Sequence, residues 1–184
     1  MKEANTAIKE SSADQPSLQV LTFLLDHEIY GTDISQIQEV LEYIKVTPVP
    51  RTPDFMLGVI NLRGHVVPVV DLRRQFQMEV SEPTVDTCIV IVEIMVDDES
   101  TSMGLLADGV KEVVELEARS ITPAPRIGSR IDTKFISGMC EHDDSLIIIL
   151  NLSKIFSSDE ISEVMDSVSS KAAKSIEADS DDSE

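Results

Sequence analysis

Short hydrophobic runs alternate with turn residues through most of the chain. The run LQVLTFLL begins at Leu18, the run IYGTDI begins at Ile29, and the polar residues 26–28 between them are typical of a turn. Runs of similar length follow: IQEVLEYIKV, HVVPVVDL, CIVIVEIMV, SMGLLA, VKEVVEL, KFISGM and SLIIILNL. Three prolines within residues 48–53 mark a loop, because proline donates no backbone hydrogen bond to a neighbouring strand. The pattern predicts a mainly β fold.

The same pattern occurs twice. Residues 30–40 (YGTDISQIQEV) align with residues 103–113 (MGLLADGVKEV), and residues 55–72 align without a gap with residues 135–152, which pairs Gly58 with Gly138. We therefore predict two units, approximately residues 18–80 and 85–156, each of about five short strands that close into a small barrel. Because such units are too small to bury much surface alone, we expect them to share a hydrophobic core. The boundaries allow the units to exchange terminal strands.

A polar segment precedes the repeat, and a helical pattern follows it. Residues 1–17 show no hydrophobic periodicity, which is typical of a disordered arm. After Phe156, Ser157 and Glu160 have the spacing of a capping box. The apolar residues that follow at helical spacing are Ile161, Val164, Met165, Val168, Ala172 and Ile176. This pattern predicts an amphipathic helix that begins near Ser158 and docks its first half on the barrels.

The last part of the chain is strongly acidic. Residues 157–184 hold 9 acidic residues against 2 lysines, which gives a net charge of −7. The composition is typical of a solubilising tail, and the alternative interpretation is a docking helix for a partner.

Charge and composition limit the functions that fit the chain. It has 184 residues, with 34 acidic and 15 basic side chains and a formal net charge of −19. Binding to nucleic acid or anionic lipid depends on clustered lysine and arginine, so neither is expected. The N-terminus lacks an apolar stretch of signal-peptide length, and we expect a soluble, cytoplasmic protein. Cys88 and Cys140 form no CxxC pair and are predicted to be small buried hydrophobic residues.

The sequence contains no pattern that indicates catalysis. His27, His65 and His142 each lie at a predicted turn, and none has another histidine or a cysteine at ligand spacing, so we expect no metal and no cofactor. Adjacent carboxylates such as Asp97 and Asp98 point apart in a turn, unlike a pair held in a pocket for acid–base chemistry. The nucleophile, zinc-protease and phosphate-loop motifs GxSxG, HExxH and GxxxxGK[ST] are absent from the sequence. We therefore do not expect an enzyme.

Comparison of the two units shows one arginine that the second unit lacks at the equivalent turn. Arg63 lies in the turn Asn61-Leu62-Arg63-Gly64, where the second unit has Glu141-His142-Asp143-Asp144, so closing the hairpin does not require arginine. Two interpretations remain open: Arg63 is an exposed turn residue beside a glycine that supplies positive φ, or it forks onto a carboxylate of a partner. Glu39 corresponds to a glutamate in the second unit, so a structural role fits it as well as binding does.

The residues around Glu39 are also open to two interpretations. Ile34, Ile37 and Val40 are either core residues or a hydrophobic surface strip, and their type favours the core.

The chain resembles the CheW family of chemotaxis coupling proteins over about residues 18–156. The resemblance rests on PDFMLGVINLRGHVVPVVDL from Pro53 to Leu72 and on YGTDISQIQEV upstream of it. It implies two SH3-like five-stranded β barrels around a common hydrophobic core. It also implies a non-catalytic adaptor that holds the histidine kinase CheA against the cytoplasmic tips of methyl-accepting chemoreceptors, as part of a two-component signalling system at membrane-associated arrays.

The resemblance also implies where partners bind. Its receptor-facing groove corresponds here to Ile34, Ile37, Glu39, Val40 and Arg63. The other barrel is expected to pair with the CheW-like regulatory domain of the kinase, although no kinase-contact residue can be assigned. Two alternatives stay open: an adaptor of a different chemosensory pathway, and a small hydrolase or ligand-binding double barrel with its pocket between the units.

Overall fold

A computed structural model describes residues 16–125 and 131–180, and side chains up to residue 169. Within these ranges the chain forms ten strands: β1 (Ser17–Leu25), β2 (Glu28–Asp33), β3 (Ile37–Glu42), β4 (Met56–Leu62), β5 (His65–Asp71), β6 (Cys88–Val96), β7 (Glu99–Ala107), β8 (Gly109–Glu117), β9 (Ile136–His142) and β10 (Ser145–Leu150). The helices are α1 (Leu72–Gln75), α2 (Leu152–Ile155) and α3 (Ser158–Ser180). The mainly β prediction is confirmed. Most of the predicted N-terminal arm, residues 1–15, lies outside the described residues.

The strands form two five-stranded sheets. Sheet A has the order β8-β1-β2-β10-β9, and sheet B has the order β3-β6-β7-β5-β4. The edge strands of each sheet meet at a single bridge. Thr47, beyond β3, exchanges two backbone hydrogen bonds of 2.9 Å with Val59, and Thr122, beyond β8, does the same with Met139 at 2.8 and 2.7 Å. Each sheet therefore curves into a small SH3-like barrel whose edges are joined at one point rather than along a full ladder.

The two sequence repeats exchange their first two strands. Strands β1 and β2 of the first repeat belong to sheet A with β8, β9 and β10, whereas β6 and β7 of the second repeat belong to sheet B. Each sheet has one parallel pair, β2 with β10 in sheet A and β7 with β5 in sheet B, and the two pairs have the same register. Gly31 lies opposite Ile149, and its repeat counterpart Gly104 lies opposite Val69, the counterpart of Ile149. The exchange ties the two sheets together through the backbone itself.

The glycine shared by the two repeats makes the edge bridge possible. A Cβ atom on Gly58, whose φ is +148°, would lie 2.0 Å from the backbone oxygen of Thr47. A Cβ atom on Gly138 would lie 2.4 Å from a methyl group of Ile121. Only glycine lets the two edges of each sheet approach this closely.

Hydrophobic side chains fill both the inside of each sheet and the space between the sheets. Strand β6 illustrates this, because Ile89 and Ile91 face the inside of sheet B while Val90, Val92 and Ile94 face the other sheet. We call the cluster between the sheets the shared core, and it includes Leu21, Phe23, Tyr30, Val70 and Leu105. A strand buried on both faces is apolar without alternation, which explains the run CIVIV in the first half of β6. Cys88 and Cys140 are both buried, as predicted.

Helix α3 extends the shared core over sheet B. Its capping box is formed: the Ser157 N–H donates to Glu160 Oε2 at 2.8 Å, and the Glu160 N–H donates to Ser157 Oγ at 3.1 Å. Ile161, Val164 and Val168 are buried where the helix packs on β5. The predicted amphipathic helix is confirmed over its first half, whereas the side chains of Ala172 and Ile176 lie outside the described residues. In the part of the chain that the structure describes, no helix is long and apolar enough to cross a membrane.

Candidate functional site

Arg63 and Glu39 form a two-point ion pair on the surface of sheet B. Arg63 Nη1 donates to Glu39 Oε1 at 2.8 Å, and Nη2 donates to Oε2 at 2.9 Å. The side chain of Arg63 is 75% exposed, while that of Glu39 is 24% exposed. Solvent screens such a pair, so it adds at most about 1 kcal/mol to stability, and its fixed geometry is the more important property.

The turn that carries Arg63 needs its backbone conformation but not its side chain. Arg63 has φ +52° and Gly64 has φ +85°, between the paired residues Leu62 and His65, as in a two-residue type I′ hairpin. In the second repeat, Asp143 and Asp144 adopt φ +47° and +60° in the equivalent turn. Arginine is an uncommon choice for positive φ, where asparagine, aspartate and glycine are favoured. The guanidinium itself therefore accounts best for arginine at this position.

A β-bulge in β3 decides which way the other candidate residues point. Ile37 lies opposite Val92 and Val40 lies opposite Val90, and both partners face the shared core. Residues three apart in a regular strand would face opposite sides. The bulge inserts Gln38 between Ile37 and Glu39, and thereby places Ile37 and Val40 on the same side.

Gln38, the inserted residue, is anchored across the sheet. Its side-chain amide donates to Glu93 Oε2 at 3.4 Å, and Ser102 Oγ donates to its side-chain oxygen at 3.1 Å. The hydroxyl of Ser100 also donates to Glu93, and this hydrogen bond lowers the pKa of that carboxyl below its usual value. The bulge is thus held in place by neighbouring polar side chains.

The five residues that the resemblance implied fall into two groups. Glu39 and Arg63 touch each other. Ile34, in the turn before β3, and Ile37 are half-buried against the rim of the shared core, whereas Val40 is 43% exposed, so the core interpretation is wrong for Val40. Glu39 lies opposite Ile91, which faces the inside of sheet B. The two groups therefore lie on the two sides of β3 and meet only along this edge strand.

Sequence reasoning missed two further exposed residues that lie close to Val40 in the chain. Tyr43 and Ile44 follow β3 and are exposed like Val40. We call Val40, Tyr43 and Ile44 the edge strip. The run IQEVLEYIKV indicated a strand here, and the signal for these residues was that the run continues past Glu42, the last residue of β3 that pairs with β6.

A buried arginine links the two sheets elsewhere. Arg73, in α1, forms an ion pair with Asp108 at the junction of β7 and β8, and also donates to Ser81 Oγ. Asp108 accepts a hydrogen bond from the N–H of Asp26 at 2.8 Å, in the turn between β1 and β2. The cluster therefore joins a turn of sheet A to a helix that follows sheet B. Sequence reasoning missed this cluster. The available signal was that the second repeat has Ser153 at the position of Arg73, so the repeated fold itself does not require an arginine there.

Asp71 supports this cluster from the start of α1. Its Oδ1 accepts a hydrogen bond from the N–H of Arg73 at 2.9 Å, which caps the helix. Asp71 is almost fully buried, and this burial raises the pKa of its carboxyl even though Arg73 and Arg74 act in the opposite direction.

The described residues contain no cluster of three or more histidine, cysteine, aspartate or glutamate side chains that could hold a metal ion. The space between the sheets is filled by the aliphatic and aromatic side chains of the shared core. Within the described residues, the shared core therefore leaves no room for the pocket that the double-barrel alternative required, although a cleft of about 330 Å³ lies outside this core, where the β1–β2 turn meets Arg73 and Asp108.

Comparison with known proteins agrees with this architecture. A family model described as the CheW-like domain matches residues 19–160. The chemotaxis protein CheW of Klebsiella aerogenes is 34% identical over 143 residues, which cover 78% of this chain and 84% of the relative. The chemotaxis protein CheW of Rhizobium meliloti is 31% identical over 142 residues, covering 77% and 89%.

A solved structure shows the same fold. The scaffolding protein TtCheW from Thermoanaerobacter tengcongensis matches with a TM-score of 0.70 and 35% identity, over 83% of this chain and 96% of that one. The family model covers well over half of the chain, and the sequence relatives and the solved structure agree with it. The chain belongs to the CheW-like domain family of chemotaxis proteins.

Proposed function

We propose that this protein is a non-catalytic adaptor that couples methyl-accepting chemoreceptors to a CheA-type histidine kinase in a chemotaxis array. The observation that carries the proposal is the fixed Arg63–Glu39 pair beside an exposed apolar edge strip. The names of the relatives, which describe chemotaxis proteins and a scaffolding protein, support it.

The proposed receptor site combines a cation with an apolar surface. The pair with Glu39 engages two of the five N–H donors of the Arg63 guanidinium, and the exposed group can present others to a partner. Ile34, Ile37 and Val40 supply the apolar contact on the other side of β3. A receptor helix that lies along this edge could bury its aliphatic side chains on β3 and place a carboxylate or carbonyl group at Arg63.

Coupling is a consequence of how the sheets are joined. The exchanged strands and the shared core hold sheet A and sheet B in one relative orientation. A receptor bound at β3 and a kinase regulatory domain bound through sheet A would then be held at a fixed geometry, so that a change in one partner biases the other. In this proposal the protein works in the cytoplasm, at membrane-associated receptor arrays, and needs no cofactor.

The receptor assignment is tested with Arg63→Glu in a pull-down that contains a receptor signalling fragment and the CheA-type kinase of the same organism. We expect the variant to retain about one tenth or less of the receptor affinity, because a repulsive charge replaces a forked donor at the contact. Its thermal unfolding temperature should stay close to that of the wild type, since the pair is exposed.

The matched control is Lys111→Glu, which makes the same change in charge at an exposed position of β8 in sheet A. We expect Lys111→Glu to bind the receptor fragment normally. Normal receptor binding by Arg63→Glu, or a marked loss of its thermal stability, would contradict the assigned role.

A further inference from the structure

The internal repeat makes it possible to compare the outer faces of the two sheets position by position. Val66 on β5 corresponds to Leu146 on β10, and the strands beside them are equivalent as well. Helix α3 packs on β5, and Val66 is half-buried against the cluster that contains Val164 and Val168. Leu146 is 53% exposed instead.

The first repeat provides no counterpart of α3. Helix α2 is followed directly by α3, whereas its equivalent α1 is followed by residues 76–87, which contain no helix. Within the described residues, the place that α3 fills on sheet B is thus not filled by a helix on sheet A. A groove of about 320 Å³ runs here along β2 and β10, and its lining includes Ile29, Leu146 and Ile148.

This face has an apolar centre with carboxylates on both sides. Leu146 is paired with Glu141 of β9, and on its other side the parallel register with β2 places it level with Glu28. One step further along the face, Ile148 and Met139 are half-buried and continue the apolar centre. An exposed leucine therefore lies between two glutamates, and the acidic turn of Asp143 and Asp144 is at one end.

The two glutamates beside Leu146 favour a basic helix over an acidic one on this face. The α3 helix of a second copy carries Asp159, Glu160, Glu163 and Asp166, so like charges would oppose its docking here. The equivalent positions on the covered sheet are Asn61 and Thr101, which are neutral. The covered face of sheet B thus accepts the acidic helix α3, whereas the negative charge on the face of sheet A favours a helix that carries positive charge.

We propose that the face of β2, β10 and β9 around Leu146 is a second docking surface, which receives a partner protein's amphipathic helix with lysine or arginine bordering its apolar stripe. The helix would lie where α3 lies on the other sheet, with its apolar stripe on Leu146 and Ile148 and its cations beside Glu28 and Glu141. The proposed receptor site is on β3 of sheet B, so this inference does not depend on that assignment.

The test uses a synthetic helical peptide with leucines at helical spacing, lysines along both borders of that stripe and one tryptophan. The protein contains no tryptophan, so the fluorescence of the peptide alone reports binding. We expect saturable binding to the full chain at about 0.15 M salt, where non-specific attraction to the net charge of −19 is screened. A scrambled peptide of the same composition should bind markedly less.

Three variants test whether the peptide binds at the face around Leu146. Leu146→Glu should weaken binding by about tenfold or more, because it removes the central apolar contact. Val113→Glu makes the same charge change at a valine that is 51% exposed on β8, and it should bind the peptide like the wild type. Glu141→Lys should weaken binding of the lysine-bordered peptide and improve binding of a glutamate-bordered one.

Several results would overturn the proposal. These are equal binding of the designed and scrambled peptides, and unchanged binding by Leu146→Glu. A wild-type protein that self-associates through this face, shown by sedimentation in which only Leu146→Glu is monomeric, would assign the surface to a second copy. Amide resonances of residues 1–15 that shift in Leu146→Glu would assign it to the chain's own N-terminal segment.

Discussion

Arg63 reaches Glu39 across 24 residues of sequence and forms both hydrogen bonds of a forked ion pair. The contact combines the two interpretations that the sequence left open, because the arginine has a partner within the chain and is still largely exposed. Glu39 therefore orients the guanidinium that we propose as a receptor contact. Such an arrangement lowers the entropy that is lost when a partner binds.

Glu39→Gln tests this orienting role. Glutamine keeps one hydrogen-bond acceptor for Arg63 but loses the charge and the fork. We expect the free energy of unfolding, measured by chemical denaturation, to change by less than about 1 kcal/mol. Receptor-fragment affinity should fall several-fold. Unchanged affinity would show that Arg63 needs no orientation by Glu39.

The edge strip makes a second prediction, in which the repeat supplies the control. Val40 and Val113 are equivalent residues on β3 and β8, and both are exposed. Val40→Glu and Val113→Glu should therefore both leave the thermal unfolding temperature nearly unchanged. Only Val40→Glu should lose receptor binding in a pull-down, by about tenfold or more, since a buried charge at the contact is unfavourable. Equal loss in both variants would point to a general charge effect.

Hydrophobic pattern and internal repetition predicted a large part of this fold. The strand-length runs, the pairing of Gly58 with Gly138 and the capping box at Ser157 each depend on local spacing, which a sequence displays directly. The exchange of strands between the repeats does not depend on local spacing. Periodicity shows which side chains are buried but not which strand of two similar units lies beside which.

The candidate site was predictable only in part for a similar reason. The contact of Arg63 with Glu39 and the turn geometry follow from how β3 and the β4–β5 hairpin are folded together. The bulge at Gln38, which puts Ile37 and Val40 on one side, has no glycine or proline to mark it. No local pattern marks Arg73 and Asp108 as partners, because they come together only when the two sheets assemble; the available signal is that the second repeat has Ser153 at the position of Arg73.

The buried ion pair of Arg73 predicts a large loss of stability when one partner is removed. Arg73→Met should lower the free energy of unfolding by about 2–4 kcal/mol, because Asp108 then keeps a partly buried charge without its cation. The measurement is denaturation by urea, followed by far-UV circular dichroism. Arg74→Met is the control, because Arg74 is more exposed and its nitrogen lies 3.7 Å from Asp71, and it should cost less than about 1 kcal/mol. Similar losses in both variants would contradict a special role for Arg73.

Asp71 predicts a pH dependence whose sign follows from its burial. The pKa of Asp71 is raised above 3.8, so between that value and its folded-state pKa the folded protein holds a proton that the unfolded chain has released. The contribution of this group to stability therefore falls as the pH rises through that window and stays at its lower level above it. Asp71→Asn carries the residue that the second repeat has at this position, Asn151, and it removes the titration.

The comparison of wild type and Asp71→Asn should be made by urea denaturation from about pH 4 to pH 7, where other carboxylates titrate alike in both proteins. We expect the stability of the wild type relative to the variant to decrease as the pH rises, because only the wild type must ionise a buried carboxyl. The attraction of Arg73 and Arg74 limits the size of this change but not its direction, since desolvation is the largest contribution to the shift. A relative stability that increases with pH would mean that the two arginines outweigh the burial of Asp71.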